Sequence, residues 1–573
     1  MLPAQKTVPL KIKLFLISIT SSFFVICIRL IFLQVHNADF FLQKSNANFT
    51  RYEHLASLRG TIRDRFGNIL VTNTPVTHLY WQGSGNRTLS QQQESILKQL
   101  SDLFMLDYSA LKDAIVQAER KSKKVIIIKK ITREMLSMLS ELFTEESSLI
   151  IESSTKRLYP YKSLASHLLG YLGTIDDTTE GKMGIERICN TILTGHAGSL
   201  LRIINSQGSH LAHHYTKHAK NGSDITTTLD LSLQKIAERI FPFDYKGALI
   251  LMDPYDGSIR VALSRPTFDP NVFSEHIDNS TWKELEQQKP FLNRINQAQY
   301  PPGSIFKLVT LAAALETQLI NPYTMCNCKG FTMLAKRKYR CARKNGHGSM
   351  TVIDSLAYSC NILFYELAKQ LDINTIAHYA HIFGLGQPTN TLFSENTGLV
   401  PTREWKKQNK HEQWWLGETL SAAIGQSFLL ATPLQIARLI GSVDTGYLVE
   451  TRFLETTTPS YQPLTISYET RSFLREAMHA VATQGTARMF KILQNFTIRA
   501  KTSTAQTSTL SKRSEGKEFL EHGWFACNFN YKDAAPLTLV VVTEHTGNAK
   551  LPMLIAREFL KNFEELMQLR EQK

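Results

Sequence analysis

The chain has 573 residues, 43% of them hydrophobic, and 65 Lys and Arg against 50 Asp and Glu give it a formal net charge of +15. That length exceeds the roughly 100–200 residues of one domain, so several domains and a large core are expected. The basic residues read as scattered, and with no zinc finger, RNA-binding signature or long basic run, nucleic acid is excluded and a milder attraction to anionic lipid or polymer remains. Seven cysteines are too few for a small disulfide scaffold, and without a Cys-x-x-Cys pair they point to no metal site.

Residues 1–13 read as a cytoplasmic tail and 14–35 as a transmembrane anchor, a mostly apolar stretch long enough at about 1.5 Å per residue to cross a bilayer. Lys6, Lys11 and Lys13 precede it, so the positive-inside rule puts the tail in the cytoplasm and the rest of the chain outside. No small-x-small cleavage site follows the apolar run, which favours an anchor over a cleaved signal peptide; Arg29 can snorkel to the interface. Residues 36–230 hold helix-like segments between Ser90 and Lys121 and a strand-like run from Val125 to Ile128 that reads equally as a short buried helical turn. They show no catalytic constellation and suit a spacer or docking module.

Past residue 230 the pattern changes. Gly247–Met252 and Ser258–Leu263 flank Asp-Pro-Tyr-Asp-Gly and read as a hairpin. Gly523–Phe529 and Leu537–Val542 bracket a polar turn and read as a second, with Phe496–Lys501 as a further strand upstream. Helix-rich segments lie between, and an amphipathic helix from about Met553 to Leu569 closes the chain. The order strands, helices, strands predicts an α+β domain over 231–573 whose antiparallel sheet draws on both ends of the segment.

The chemistry centres on Gln299-Tyr-Pro-Pro-Gly-Ser-Ile-Phe-Lys-Leu-Val-Thr310, where Ser304 sits at a helix start and Lys307 follows one turn later on the same face. A serine hydroxyl needs a base, and a lysine serves only if burial favours its neutral form within reach of that hydroxyl. The Ser-x-x-Lys spacing alone is weak, since Ser95/Lys98, Ser280/Lys283 and Ser514/Lys517 share it in polar surroundings. This copy is followed by Ser359-Cys-Asn361 and then by Lys501-Thr502-Ser503-Thr504, the order in which S-x-x-K, S-x-N and K-T-G motifs occur in penicillin-interacting serine enzymes. In isolation Ser359 and Asn361 would read as a helix cap, Lys501 as a surface strand residue and His522 as a packed histidine. Cys328 and Cys341 are candidates for a disulfide, with Cys326 competing for either partner.

Together with Arg59-Gly-Thr-Ile-Arg-Asp-Arg-Phe-Gly67, Arg157-Leu-Tyr-Pro-Tyr161, Gly184-Ile-Glu186, Ile424-Gly-Gln426, Thr432-Pro-Leu-Gln435, Gly485-Thr-Ala487 and Trp524-Phe525, these motifs resemble the class B penicillin-binding proteins, the peptidoglycan D,D-transpeptidases. The stretch from Cys328 through Cys341 to Gly346-His-Gly348 is most similar to the elongation branch, penicillin-binding protein 2. The resemblance implies a single transmembrane helix, an elongated pedestal over 36–230, and a transpeptidase domain over 231–573 with a five-stranded antiparallel sheet flanked by helices. It implies that Ser304 attacks the penultimate D-Ala of a D-Ala-D-Ala stem, that Lys307 accepts its proton, and that Ser359 relays a proton to the leaving amine. By the same resemblance Asn361 holds the stem's amide, Lys501 and Thr502 bind the terminal carboxylate, and the backbone N–H groups of Ser304 and Thr504 hold the oxyanion. No cofactor or metal is implied. The implied partners are stem peptides as donor and amine acceptor, β-lactams as inhibitors, and a polytopic membrane glycosyltransferase. One departure is Ser503, where the family has glycine; it raises the alternative of a catalytically impaired scaffold, beside that of a membrane-anchored β-lactamase or penicillin sensor.

Overall fold

The structure is a computed structural model, and it describes residues 9–572 apart from 56, 84–87, 122, 143–147, 176–177, 205–209, 275–278 and 507–513. Lys6 lies outside the described residues. Two compact units are present, one formed by residues 1–59, 75–155 and 194–222 and the other by 60–74, 156–193 and 223–573.

In the first unit, Leu10–Ile31 is an α-helix that passes into a single π-turn, Phe32–His36, with none of its residues buried by the rest of the protein. Three antiparallel strands, Thr50–Leu55, Gly198–Ile204 and His210–Lys217, form one sheet. The helix Gln91–Phe104 starts where Ser90 caps it, the serine hydroxyl accepting from the Gln93 N–H, and Tyr108–Arg120 starts at Asp107 in the same way. Their apolar faces bury Leu97, Leu100 and Ile115 against Leu79, Trp81 and Ile128 of neighbouring strands. The Trp81 indole N–H donates to Glu119 at 2.8 Å, which satisfies a polar group in that core.

The second unit is organised by an antiparallel sheet of five strands in the order Ile259–Arg265, Gly247–Met252, Leu537–Thr543, His522–Tyr531, Phe496–Ala505. Side chains alternate between two cores. Ala248, Ile250, Met252, Trp524, Ala526, Val540 and Val542 face a core built with the helices Lys307–Glu316 and Pro433–Thr445. Leu249, Leu251, Phe525, Cys527, Leu539 and Val541 face a second core covered by Leu231–Ile240 and Lys550–Glu571. Burial on both faces is why these strands read as continuous apolar runs and not as an apolar-polar alternation. This is the α+β, five-stranded arrangement expected from sequence, joining both ends of the segment.

The motif residues before the sheet meet in this unit as well. Arg157 donates to Glu186 at 2.7 Å and to the Gly60 carbonyl at 2.8 Å, and both charged side chains are buried. A buried guanidinium paired with a carboxylate and a carbonyl ties three distant segments together, and removing one partner would strand the other's charge at several kcal/mol.

Candidate active site

Ser304 lies on a short 3₁₀ turn, Gly303–Ile305, and Lys307 is the first residue of the α-helix that follows. The helix therefore begins at Lys307 and not at Ser304, with the serine raised on the tighter turn just ahead of it. Gly303 has φ +52 and Gly425 φ +75, and the Gly303 N–H donates to the Gly425 carbonyl at 2.9 Å. A Cβ on Gly425 would sit 2.1 Å from the Gly303 carbonyl oxygen. The Ile424-Gly-Gln426 motif thus lets two backbones touch behind the serine turn.

Lys307 is fully buried. Its ammonium donates to the Ser359 carbonyl at 2.9 Å, the Ser359 hydroxyl at 3.2 Å, the Cys360 carbonyl at 3.2 Å and Asn361 Oδ1 at 2.8 Å. Burial holds its pKa at about 8, below the ordinary 10.5. The Phe364 ring centroid lies 5.2 Å from the nitrogen. The expected direct bond to Ser304 is not formed: no described residue hydrogen bonds the Ser304 hydroxyl, and the lysine is turned to residues 359–361. The reason is electrostatic, because a buried ammonium is better satisfied by two carbonyls and an amide oxygen than by one hydroxyl. The geometry is that of the protonated lysine.

Ser359 adopts a left-handed backbone, φ +55, a conformation that costs a non-glycine residue of order 1 kcal/mol or more and concentrates at functional positions. Asn361 occupies the N-cap position of Ile362–Gln370 without a side-chain capping bond. Its amide is spent elsewhere, with Oδ1 on Lys307 and Nδ2 donating to the Arg340 carbonyl at 3.2 Å. The ordinary helix-cap reading of this pair therefore fails. Lys501, also fully buried, donates to the Ser359 hydroxyl at 3.2 Å and to the Thr502 carbonyl at 3.0 Å. Burial, and then the positive charge of Lys307, push its pKa well below the ordinary value. The three motifs thus converge on one hydroxyl, Ser359 Oγ, flanked by two amines.

The strand carrying Lys501 is at the edge of the sheet, so alternate backbone groups of Thr502–Ala505 lack a strand partner on one side. The Thr502 hydroxyl pairs with Thr486 of the Gly485-Thr-Ala487 motif at 2.6 Å, and Thr504 is exposed. Ser503 points the other way: it is 2% exposed, its hydroxyl has no hydrogen-bond partner, and it lies where a Cβ on Gly303 would be, 2.3 Å from that position. The extra hydroxyl is thus stored under the serine turn, on the strand face shared with Lys501. His522 is buried and accepts a hydrogen bond from the His545 N–H at 3.1 Å, and burial keeps it neutral with a pKa of about 4. It is a packed residue.

Sequence reasoning missed one cluster. None of the seven cysteines is in a disulfide, so the Cys328–Cys341 bridge is not formed. Instead Cys328, Cys341, His347 and Cys360 place their donor atoms within 4.8 Å of one another. Sγ of Cys341 and Cys360 are 3.9 Å apart, and His347 Nδ1 is 3.5 Å from Cys328 Sγ and 3.6 Å from Cys341 Sγ. Zinc bonds of about 2.3 Å to sulfur and 2.0–2.1 Å to nitrogen in a tetrahedron give edges of about 3.8 Å between sulfurs and about 3.6 Å between sulfur and nitrogen. The donor set and its spacing fit that ion, against the expectation of no metal. The donors lie too far apart in sequence to form the short Cys-x-x-Cys signature, and Cys360 was legible only as the middle of the Ser359–Asn361 motif.

Residues 247–562 match the family model described as the penicillin binding protein transpeptidase domain, and residues 54–227 match the penicillin-binding protein dimerisation domain. The peptidoglycan D,D-transpeptidase MrdA of Haemophilus influenzae is 28% identical, across 90% of this chain and 85% of the relative. MrdA of Acinetobacter baumannii is 29% identical, across 92% and 83%. Among solved structures, the penicillin-binding protein PBP2 of Helicobacter pylori in complex with MreC is 26% identical with a TM-score of 0.79, covering 90% of this chain and 99% of that one. A chain from a peptidoglycan synthase complex that coordinates polymerisation and crosslinking is 26% identical with a TM-score of 0.75, covering 96% and 97%.

Proposed function

The chain belongs to the penicillin-binding protein transpeptidase family, and on that premise we propose that it cross-links peptidoglycan stem peptides through an acyl-enzyme on Ser304. Its class of activity is that of a peptidoglycan D,D-transpeptidase. The observation that carries the residue assignment is the meeting of Lys307 and Lys501 on the Ser359 hydroxyl, each at 3.2 Å, beside the turn that presents Ser304.

In this reading a D-Ala-D-Ala stem enters along the edge strand, its terminal carboxylate met by Lys501 and Thr502 and its amide by Asn361. Lys307, once neutral, takes the Ser304 proton as Oγ bonds to the penultimate carbonyl carbon. The backbone N–H groups of Ser304 and Thr504 receive the oxyanion. Ser359, bridging the two amines, passes a proton to the departing D-Ala nitrogen, and the C–N bond breaks to leave an ester on Ser304. An amine of a second stem attacks that ester, loses its proton to the same relay, and regenerates Ser304. A β-lactam follows the first half and stops as the ester. Burial of Ser503 against Gly303 supports an active enzyme over an impaired scaffold, since the added side chain lies under the turn. Relatedness to transpeptidases along 85% of a relative's length supports this reading over a β-lactamase.

A zinc ion held by Cys328, Cys341, His347 and Cys360 belongs to the same proposal. Four protein donors would leave such an ion no open position, so it would be structural and would hold Cys360 between Ser359 and Asn361. The likeness to PBP2 with MreC and to the synthase complex supports an elongation role beside a polytopic glycosyltransferase. The apolar helix at the amino end supports a single-pass inner-membrane anchor with the catalytic unit in the periplasm, and the dimerisation-domain match over residues 54–227 supports a pedestal over 36–230.

The test is to incubate the full chain in detergent with a fluorescent penicillin and map the adduct by mass. One penicilloyl group on the peptide containing Ser304, absent from Ser304→Ala, is expected. An adduct on another residue, or none on folded protein, would overturn the assignment.

A further inference from the structure

Between Glu316 and Asp354 the chain has no acidic residue, yet Lys336, Arg337, Lys338, Arg340, Arg343 and Lys344 fall within it. Tyr339, Cys341 and Ala342 interrupt them in sequence, which is why they read as scattered. In the fold they are gathered. Phe331–Leu334 and Arg337–Arg340 pair antiparallel, with Phe331 opposite Arg340 and Leu334 opposite Arg337. Thr332 and Tyr339 turn inward, and all six cations are exposed. None of the six is in an ion pair with a described residue.

Two of the cations are held against the hairpin itself, Lys338 at 3.5 Å over the Phe331 ring and Arg337 at 5.2 Å over that of Tyr339. The hairpin is also fixed to the catalytic centre. Its second strand ends on the Arg340 carbonyl, which accepts the Asn361 side-chain N–H at 3.2 Å, and on Cys341, whose sulfur accepts the Asn361 backbone N–H at 3.5 Å. On the first strand, Thr332 donates to Glu366 at 2.6 Å. Exposed like charges without a compensating anion repel one another, and a concentration of one sign beside a cleft raises the local concentration of the opposite charge.

We propose that this hairpin is a carboxylate-binding subsite, which receives the free carboxylates that a stem peptide carries upstream of its terminal D-alanine pair. The inference rests on the acyl-enzyme reading above and deepens it. Lys501 and Thr502 take the terminal carboxylate, and Asn361 takes an amide; the peptide then continues past Asn361, whose side chain already touches the base of the hairpin. Three extended residues reach about 10 Å, enough to bring a branch carboxylate from Asn361 onto the hairpin. A penicillin is too short to use this subsite, and that difference makes the proposal testable.

The experiment uses the full chain in detergent and the triple variant Lys336→Gln, Arg337→Gln, Lys338→Gln. Three rates are measured: acylation by a fluorescent penicillin, turnover of a stem pentapeptide with free carboxylates, and turnover of the same peptide with its upstream carboxylates amidated. The variant is expected to acylate with penicillin at the parent rate and to turn over the amidated peptide unchanged. For the free-carboxylate peptide, kcat/KM should fall about tenfold, as three exposed charge contacts would give, and the gap should close at high salt. Equal loss on both peptides, or no loss on either, would overturn the subsite. So would weaker binding of the variant to anionic phospholipid vesicles with peptide turnover unchanged, which would assign the charge to lipid. A parent chain that acylates with nothing would instead sink the underlying acyl-enzyme reading, and this one with it.

Discussion

Lys307 has four acceptors around one nitrogen, and in the proposed mechanism it must still lose a proton before Ser304 can attack. Burial at a pKa of about 8 makes that loss affordable near neutral pH. The neutral amine is the base, so its fraction rises as pH rises. Acylation by a penicillin is therefore expected to increase about tenfold per pH unit below 8 and to level off above it. Stopped-flow rates between pH 6 and 10 check this, and a flat profile would remove Lys307 as the base. The order of the three motifs leads to the expectation that Ser304, Lys307, Ser359, Asn361 and Lys501 form one set, and the fold brings Lys307, Ser359, Asn361 and Lys501 within hydrogen-bond distance. The lysine's choice of partners was not legible in the sequence. It depends on where residues 359–361 come to lie, more than 50 positions away in sequence, and spacing says nothing about which acceptors compete for a buried donor.

At the scale of elements, the segment from Tyr358 to Asn361 is held from two sides. Lys307 and Lys501 grip its polar groups, and Cys360 turns its sulfur toward Cys341, His347 and Cys328. Ser359, in its left-handed backbone, lies between these two holds, and such a conformation persists where its surroundings over-determine it. The purified full chain is expected to contain one zinc per molecule by elemental analysis. Stripping it with a chelator should slow penicillin acylation by about tenfold or more, the usual scale for loosening the support of a catalytic group, and adding zinc back should restore it. Cys328→Ser should bind zinc more weakly and behave like the stripped enzyme, although Cys328 is remote from Ser304 in sequence. Full activity without metal would leave the cluster with no part in positioning. The strands around it, Met325–Cys328, Phe331–Leu334, Arg337–Arg340 and Gly348–Thr351, fall in a segment that reads from sequence only as helix-rich. The metal cluster was not legible either, since its four donors arrive on different elements and each looks like an ordinary buried residue alone.

At the scale of the whole molecule, the sheet with a core on each face was the most legible part, because two-sided burial writes itself as unbroken runs such as Gly247–Met252 and Leu537–Thr543. The assembly of the second unit was less so. Residues 60–74 and 156–193 join it through contacts such as the Leu231 N–H on Asp64 at 3.2 Å and the Tyr159 N–H on the Asn271 side chain at 3.0 Å, and hydrogen bonds between distant segments leave no local pattern. At the amino end, Leu10–His36 is 27 residues of helix with no part of its apolar window buried in protein, and at about 1.5 Å per residue it is about 40 Å long. So much exposed apolar surface is unstable in water, and a bilayer removes it. The full chain is expected to stay with membranes through high-salt and alkaline washes and to leave them only with detergent. Removing residues 1–36 should release it into the soluble fraction. In the proposed mechanism no group before Gly303 touches the substrate, so the released protein should acylate with penicillin at the rate of the full chain. Release by salt alone would mean that the positive charge, and not this helix, holds the protein to the membrane.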